Sequence, residues 1–474
     1  MKKKLLAFAP VALASLVGNA EITSKKPNVV FILADDHNYS SINALGNSEI
    51  QTPNIDTFVN RGTSFTNTHI FGANSAAVCA PSRAMLLTGR TFNELPKGFV
   101  LAWKGKKEDR GVCPYKTFPE VFKENGYRTF GTGKQHNGSI TFARGFTDGG
   151  NIFFGGMHSE KSGGHLKPLV QDFDPTGEYP SSAKHVKKVF STEIYTDASL
   201  KFINEYKDSK PFMMYVAYTA PHDPRMAPQK YIDMYPADKI SLPKNYLSKH
   251  PFKLGTLGIR DERLAPYPRQ EASIKKEIGG YYAMITHMDD QIGRIIKAIE
   301  AKGEMDNTIF IFAGDNGLAM GQHGLIGKQN LYEHSIRVPL IFAGPGIDKG
   351  VKNNGLTYLH DIFPTMCGLI GAEIPESISS KSLMPLLSGA KKEIYESQFY
   401  CFGNIHRAVR LGDWKLIRYN VKRKQTTQLF NVANDPLEVK NLATSPEYRA
   451  KVEELNKLLS KSGEALGDTV NWYK

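Results

Sequence analysis

The chain of 474 residues is poor in cysteine: Cys79, Cys113, Cys367 and Cys401 are its only four. That is too few for a small disulfide-stapled scaffold, although an even count in an oxidising compartment would allow two bridges. No segment is biased enough toward glycine or proline to be a low-complexity linker, and no period recurs, which excludes collagen, solenoid and propeller architectures. Past the N-terminus no apolar run approaches the roughly 20 residues that cross a bilayer as a helix, so stable membrane insertion is not expected. There is no basic run interleaved with aromatics and no nucleic-acid-binding motif, so nucleic acid is not an expected partner. What remains is an ordinary folded composition, 41% hydrophobic and 23% charged, with enough chain to bury a large core. The length fits two structural units, or one large α/β domain with a small appendage.

The first twenty residues read as an export signal. Lys2, Lys3 and Lys4 precede an apolar run from Leu5 to Val17, and Gly18-Asn19-Ala20 forms a small-x-small cleavage site. The run is too short to span a hydrocarbon core of about 30 Å, and no cysteine nearby offers a lipid attachment point. Cleavage after Ala20 and a periplasmic or secreted mature protein are expected. It removes three lysines and no acid, taking the formal charge from +13 to +10. A basic surface concentrates polyanions, and outside the cytoplasm this favours an anionic extracellular substrate over nucleic acid.

Four apolar runs have the look of strands buried on both faces of a parallel sheet: Asn28–Ala34, Pro211–Tyr218, Thr308–Ala313 and Val338–Ala343. Between the second and third, Ile278, Tyr281, Tyr282, Ile285, Met288, Ile292, Ile295, Ile296 and Ile299 recur at helical spacing. Strands alternating with helices predict an α/β fold. The C-terminal stretch reads differently, with a short antiparallel meander over Arg407–Arg418 and Gln428–Phe430 and a charged helix over Ser445–Lys461. A boundary is expected near Ser388 to Lys392, between a larger unit over 27–388 and a C-terminal subdomain over 392–474.

Two of the buried strands end in oxygen-bearing side chains, Asp35-Asp36 after the first and Asp315-Asn316 after the third. Functional groups in open α/β sheets collect beyond the carboxyl ends of strands, so these four are expected to converge. All-oxygen ligation suits Ca²⁺, and after it Mg²⁺, rather than zinc. Either pair alone could be a helix cap or a turn. Asp289-Asp290 falls inside the helical pattern, is expected on a solvated face, and is given no role.

The segment Cys79-Ala-Pro-Ser-Arg-Ala-Met-Leu-Leu-Thr-Gly-Arg90 resembles the signature of the type I sulfatases, C-x-P-S-R followed by T-G-R. The likeness extends over roughly Pro27 to Leu442, including Thr52–Asp56, Arg61-Gly62, Gly126–Thr129 and Gly327-Lys328-Gln329. It implies the alkaline-phosphatase-like fold, a large mostly parallel sheet flanked by helices with a smaller C-terminal antiparallel sheet and helix. It also implies sulfate-ester hydrolysis, with Cys79 converted to formylglycine by a dedicated maturation enzyme. In that family one hydroxyl of the aldehyde hydrate, acidified on a cation, attacks sulfur, and the other then expels sulfate as the aldehyde reforms.

By the same resemblance, Asp35, Asp36, Asp315 and Asn316 would ligate Ca²⁺ together with an oxygen of modified Cys79. Arg83 would hold the hydrate, and Asp315 could take its proton. Lys134 and His136 match the family's G-K-x-H segment, with Gln135 standing where the family often has Trp. Lys134 would neutralise sulfate oxygens and His136 would assist elimination. His222, in Ala220-Pro221-His222, would protonate the leaving alcohol, with Lys328 binding the sulfate. His323 belongs at most behind these groups. The substrate implied is a sulfated carbohydrate, attacked from a chain end, with galactose or N-acetylgalactosamine ahead of heparan-type sugars. Asp223 and Arg225 are expected to bind the sugar, and Arg144, His165, His406 and Arg407 are further candidates for its rim. The alternatives are an arylsulfatase, a phosphoester hydrolase of the same superfamily, or an inactive glycan-binding relative.

Overall fold

The computed structural model describes residues 25–103 and 110–473; the export signal expected over residues 1–20 lies outside them. In chain order the strands are β1 (Asn28–Ala34), β2 (Gly62–His69), β3 (Gly72–Ala73), β4 (Arg128–Lys134), β5 (Asp148–Phe153), β6 (Leu169–Val170), β7 (His185–Val186), β8 (Phe212–Ala217), β9 (Thr308–Gly314), β10 (Leu340–Ala343), β11 (Val351–Tyr358), β12 (Ser397–Phe402), β13 (His406–Leu411), β14 (Trp414–Val421) and β15 (Lys424–Asn431). Eight of them form one sheet in the order β11-β2-β10-β9-β1-β8-β4-β5.

Every residue of β1, β8 and β9 is buried, as their unbroken apolar sequences require. Alternate residues of β1 feed two separate cores. Val29, Phe31 and Leu33 join one, and Val30, Ile32 and Ala34 the other, because successive strand side chains point to opposite faces. The second core is closed by the helix Glu271–Ala301 together with Ser191–Glu205, so the expected helical stripe from Ile278 to Ile299 packs inward. One expectation is corrected in direction. β10 is buried like its neighbours but runs antiparallel to both β9 and β2; the 25 residues between β9 and β10 contain only the short helix Glu333–Ile336 and make no helical crossover.

The first core carries the helix Cys79–Thr88 and the second sheet, ordered β15-β14-β13-β12-β3. The predicted meander is present as β13 to β15, paired antiparallel, and the closing helix runs Arg449–Ala465. The strand that joins it to the rest was not legible in sequence: β12 pairs antiparallel with β13 and lies parallel to β3, just upstream of Cys79. All four cysteines are buried and unbridged. Asp289 is not on a solvated face. It is buried and accepts the backbone N–H groups of Asn54 and Ile55 at 3.0 and 2.7 Å, satisfying the open N-terminus of the helix Pro53–Arg61. Among the described residues no helix is long and apolar enough to cross a membrane.

Candidate active site

Four neighbouring strands, β9, β1, β8 and β4, are parallel, so their carboxyl ends open onto one edge. β9 delivers Asp315 and Asn316 there, β1 Asp35 and Asp36, β8 the turn bearing His222, and β4 Lys134 and His136. Gly133 makes the last aim possible: its φ is +79°, the register with β5 shifts there, and a Cβ would strike the Ala217 carbonyl. Asp36 and His136 themselves sit at φ 64° and 55°, a left-handed backbone that bulky residues hold only where the surroundings impose it. For Asp36 the clamp is Tyr281, whose hydroxyl donates to the Asp36 carbonyl at 2.7 Å and accepts from the Asn38 N–H at 3.0 Å.

The helix Cys79–Thr88 points its N-terminus at this edge. Cys79 is its first residue, and Arg83, four positions on, shares its face. Arg83 Nε donates to Asp315 Oδ2 at 2.7 Å and Nη1 to the Lys134 carbonyl at 2.7 Å, while Ser82 Oγ donates to the Asp315 carbonyl at 2.5 Å. Lys134 Nζ lies 2.6 Å from Asp35 Oδ2 and 3.3 Å from Cys79 Sγ. Lys328 Nζ and Asn316 Nδ2 both donate to Asp36 Oδ1, at 2.5 and 2.7 Å, and His222 Nε2 stands 3.7 Å from Asp36 Oδ2. The sequence-predicted set is therefore assembled around Cys79.

Burial and mutual charge set the ionisation of these groups. Burial opposes ionisation of Asp35, yet Lys134, then His222 and Arg83, hold it well below the usual carboxylate range. Asp315 is pushed up to about 6 by burial and by Asp35, against the pull of Arg83 and Lys134. Burial pushes the Cys79 thiol up to about 11 although Lys134 and Lys328 draw it down, so an unmodified thiol here would be a poor nucleophile at neutral pH. His136 is kept well below its ordinary value by burial and by Lys134. Burial works against the charged form of Lys328, but Asp36 holds the ammonium well above its ordinary value.

The site fits a hard divalent cation. Ligand atoms of Asp35, Cys79 and Asp315 lie within 4.8 Å of one another, and Asp35 Oδ1 and Asn316 Oδ1 are buried without a hydrogen-bond partner. Buried oxygens left unpaired are costly, and an oxygen-ligated cation satisfies both.

Cys79, His136, His222 and Lys328 open onto a cavity of about 730 Å³, walled also by Trp103 and Arg260. Trp103, 43% exposed, stacks on His136 with ring centroids 5.3 Å apart. The sugar-contact expectations fare differently. Neither Asp223 nor Arg225 lines this cavity. Arg225 turns to Glu277, at 3.5 Å, and lies over the Tyr281 ring. Asp223 is gripped by Arg260. Arg144 is tied to Glu120 and the Tyr115 carbonyl, Arg407 to Asp468, and His406 to the Leu254 carbonyl; each holds the fold together. His165 is buried behind the site, 2.9 Å from the His222 carbonyl and 2.9 Å from Ser191 Oγ. His323 stacks on Tyr332 at 4.1 Å, outside the cavity lining.

Sequence reasoning missed the segment Arg260-Asp261-Glu262. Glu262 accepts the N–H groups of Ile326 and Gly327 at 3.2 and 2.9 Å, and Asp261 accepts from Gln329 at 2.6 Å, so both fix the turn that carries Lys328. No periodicity marks such loop residues, and Trp103 was equally silent.

Comparison with known proteins decides the family. The sulfatase family model matches residues 27–372, and a model described as N-sulphoglucosamine sulphohydrolase, C-terminal, matches residues 321–465. The chain belongs to the sulfatase family. Sulfatases are sulfuric ester hydrolases, and the expected enzyme class is thereby met. A sulfatase of Formosa agariphila is 30% identical, covering 92% of this chain and 87% of that one. The N-acetylglucosamine-6-O-sulfatase of Bacteroides thetaiotaomicron is 26% identical over 98% of this chain and 91% of its own. A solved structure in complex with its substrate D-glucosamine-2-N,6-O-disulfate shares the fold, with a TM-score of 0.76 and 24% identity over 94% of this chain and 99% of that one. Its fold matches the predicted large, mostly parallel sheet with a smaller C-terminal antiparallel sheet.

Proposed function

We propose that this sulfatase removes sulfate from the terminal sugar of an exported or environmental glycan. It would use formylglycine made from Cys79 by a maturation enzyme, and a Ca²⁺ ion held by Asp35, Asp36, Asp315, Asn316 and modified residue 79. The observation that carries the reading is the grouping of Asp35 and Asp315 with Cys79, their ligand atoms within 4.8 Å of one another, where Cys79 lines a cavity large enough for a sugar. When present, the cation supplies positive charge beside residue 79 and the aldehyde supplies a hydrate nucleophile.

The chain's own residues do the rest. Lys134 and Lys328, both buried and both kept cationic by neighbouring aspartates, neutralise sulfate oxygens as charge builds on them. Arg83 locks Asp315 in place, and Asp315, raised toward neutral pH, is suited to accept a proton near residue 79. As the sulfur–ester oxygen bond breaks, its electron pair stays on the sugar oxygen and His222 Nε2 passes its proton there. His136, held neutral, is placed to assist release of sulfate from residue 79.

The substrate class draws support from three sides: a basic chain, a cavity of about 730 Å³ that Cys79 lines, and relatives named for N-acetylglucosamine and ulvan. The leader over residues 1–20 would place the mature enzyme in the periplasm or outside the cell. A panel of position-defined sulfated galactose, N-acetylgalactosamine and glucosamine compounds, run with matched phosphate esters, tests the reading. Release of sulfate from one sugar position by protein whose residue 79 carries the aldehyde mass is expected. Faster release of phosphate, or unmodified Cys79 in protein from its native host, would overturn it.

A further inference from the structure

The groups behind His222 form a chain that leads out of the site. Nδ1 of His222 faces two oxygens of one residue, the Asp223 carbonyl at 2.9 Å and Asp223 Oδ1 at 3.2 Å. Both are acceptors, so Nδ1 carries a proton and Nε2 is the nitrogen turned to Asp36 and the cavity. Asp223 is in turn fixed from the far side: Arg260 grips both carboxylate oxygens, one of them at 3.0 Å, and a fork of this kind sets the plane of the carboxylate. Arg260 is itself held by Asp261 at 2.8 Å. The His222 backbone carbonyl accepts from His165 at 2.9 Å.

We propose that Asp223 and Arg260 are positioning residues for proton delivery. They hold the His222 ring by Nδ1 so that Nε2 meets the departing oxygen, and neither binds the sugar directly. This rests on the reading of His222 as the proton donor. It explains why Asp223 follows His222 immediately yet lies outside the cavity lining, and why an arginine whose side chain is 41% exposed on the cavity wall spends its fork on Asp223. A residue acting this way matters in proportion to how badly the leaving group needs a proton.

The test compares His222→Ala, Asp223→Asn and Arg260→Ala on the mature enzyme. The substrates are a graded set of phenyl sulfates, from 4-nitrophenyl sulfate to unsubstituted phenyl sulfate, and the best sugar sulfate from the panel. Asp223→Asn is expected to lower kcat about 10- to 100-fold on the sugar sulfate, to leave 4-nitrophenyl sulfate within about threefold, and to leave KM unchanged. Arg260→Ala should follow the same pattern to a smaller extent, and Arg260→Lys should not restore it, since an ammonium cannot make the fork. If His222→Ala steepens the leaving-group dependence while Asp223→Asn and Arg260→Ala lower all substrates equally, change none, or raise KM alone, the positioning role is wrong. If His222→Ala itself shows no leaving-group dependence, the proton-donor reading fails first. Because Arg260 is partly exposed, its variants keep the test decisive should Asp223→Asn fold poorly.

Discussion

At the carboxyl edge of the main sheet three carboxylates, Asp35, Asp36 and Asp315, meet Arg83, Lys134 and Lys328. Beside the second sheet Glu333 and Glu438 meet Lys415, Arg410 and His69. Both clusters are buried and both mix acids with bases. In the second, each carboxylate oxygen faces a cation or an N–H: Lys415 lies 2.8 Å from both acids, His69 3.0 Å from Glu333, and the Glu333 N–H 2.7 Å from Glu438, so that only Glu438 Oε1 lacks a hydrogen bond and it is ion-paired with Lys415. In the first, Asp35 Oδ1, Asn316 Oδ1, Arg83 Nη2 and His136 Nδ1 are left unpaired. Buried charge alone therefore does not mark a reactive site. What sets the first cluster apart is that several unpaired atoms lie together among the groups around Cys79, where a cation or a substrate can relieve the desolvation cost the fold bears.

That contrast can be broken first at residue 79. Cys79→Ala should lower sulfate release at least about a thousandfold while the unfolding midpoint in denaturant stays near that of the parent, since the cluster's charges are untouched. Chelation comes next. Dialysis against EDTA should lower turnover about a hundredfold, Ca²⁺ should restore it, and the melting temperature should rise with added Ca²⁺ because ligand binding stabilises the folded state.

The second cluster should answer the opposite way. Lys415→Met leaves Glu333 and Glu438 buried without their shared cation and should cost about 3–5 kcal/mol of stability, read from urea unfolding, with kcat of the folded fraction unchanged. The smallest effect is a slope. Burial raises Glu438 to about 7 against the pull of Lys415, with Glu333 adding to the rise. Its folded-state pKa thus lies above the ordinary 4.5, so the folded protein holds an extra proton between those values. Stability should fall as pH climbs through that window. Glu438→Gln should flatten this segment of the stability–pH curve; an unchanged slope would place the titrating group elsewhere.

Much of the fold was legible because its signals are local. β1, β8, β9 and the long helix announce themselves by apolar runs and helical spacing, and the meander by alternation. β2, Gly-Thr-Ser-Phe-Thr-Asn-Thr-His, and β3 carry no such signal; they are strands because partners far along the chain pair with them. The direction of β10 was misread for a related reason, since burial on both faces says nothing about which way a strand runs. Asp289 was misplaced because a helical pattern records which face is apolar, and a single buried carboxylate capping another helix is an exception to it. The rim candidates Arg144, His406 and Arg407 were basic residues without context, and each found an internal partner.

The order of residues alone determined the chemistry available at this site. Cys79 with Pro81, Ser82 and Arg83, the paired acids at two strand ends, and His222 and Lys328 are read from short stretches whose meaning does not depend on distant parts of the chain. Only the tertiary structure decided which of those groups stay unsatisfied, which way His222 is turned, and that Asp223 serves the histidine while Arg260 serves Asp223. Apart from the contact between the chain neighbours His222 and Asp223, such facts are set by contacts between segments tens to hundreds of residues apart, where burial and distance, and not residue type, fix how strongly one charge feels another.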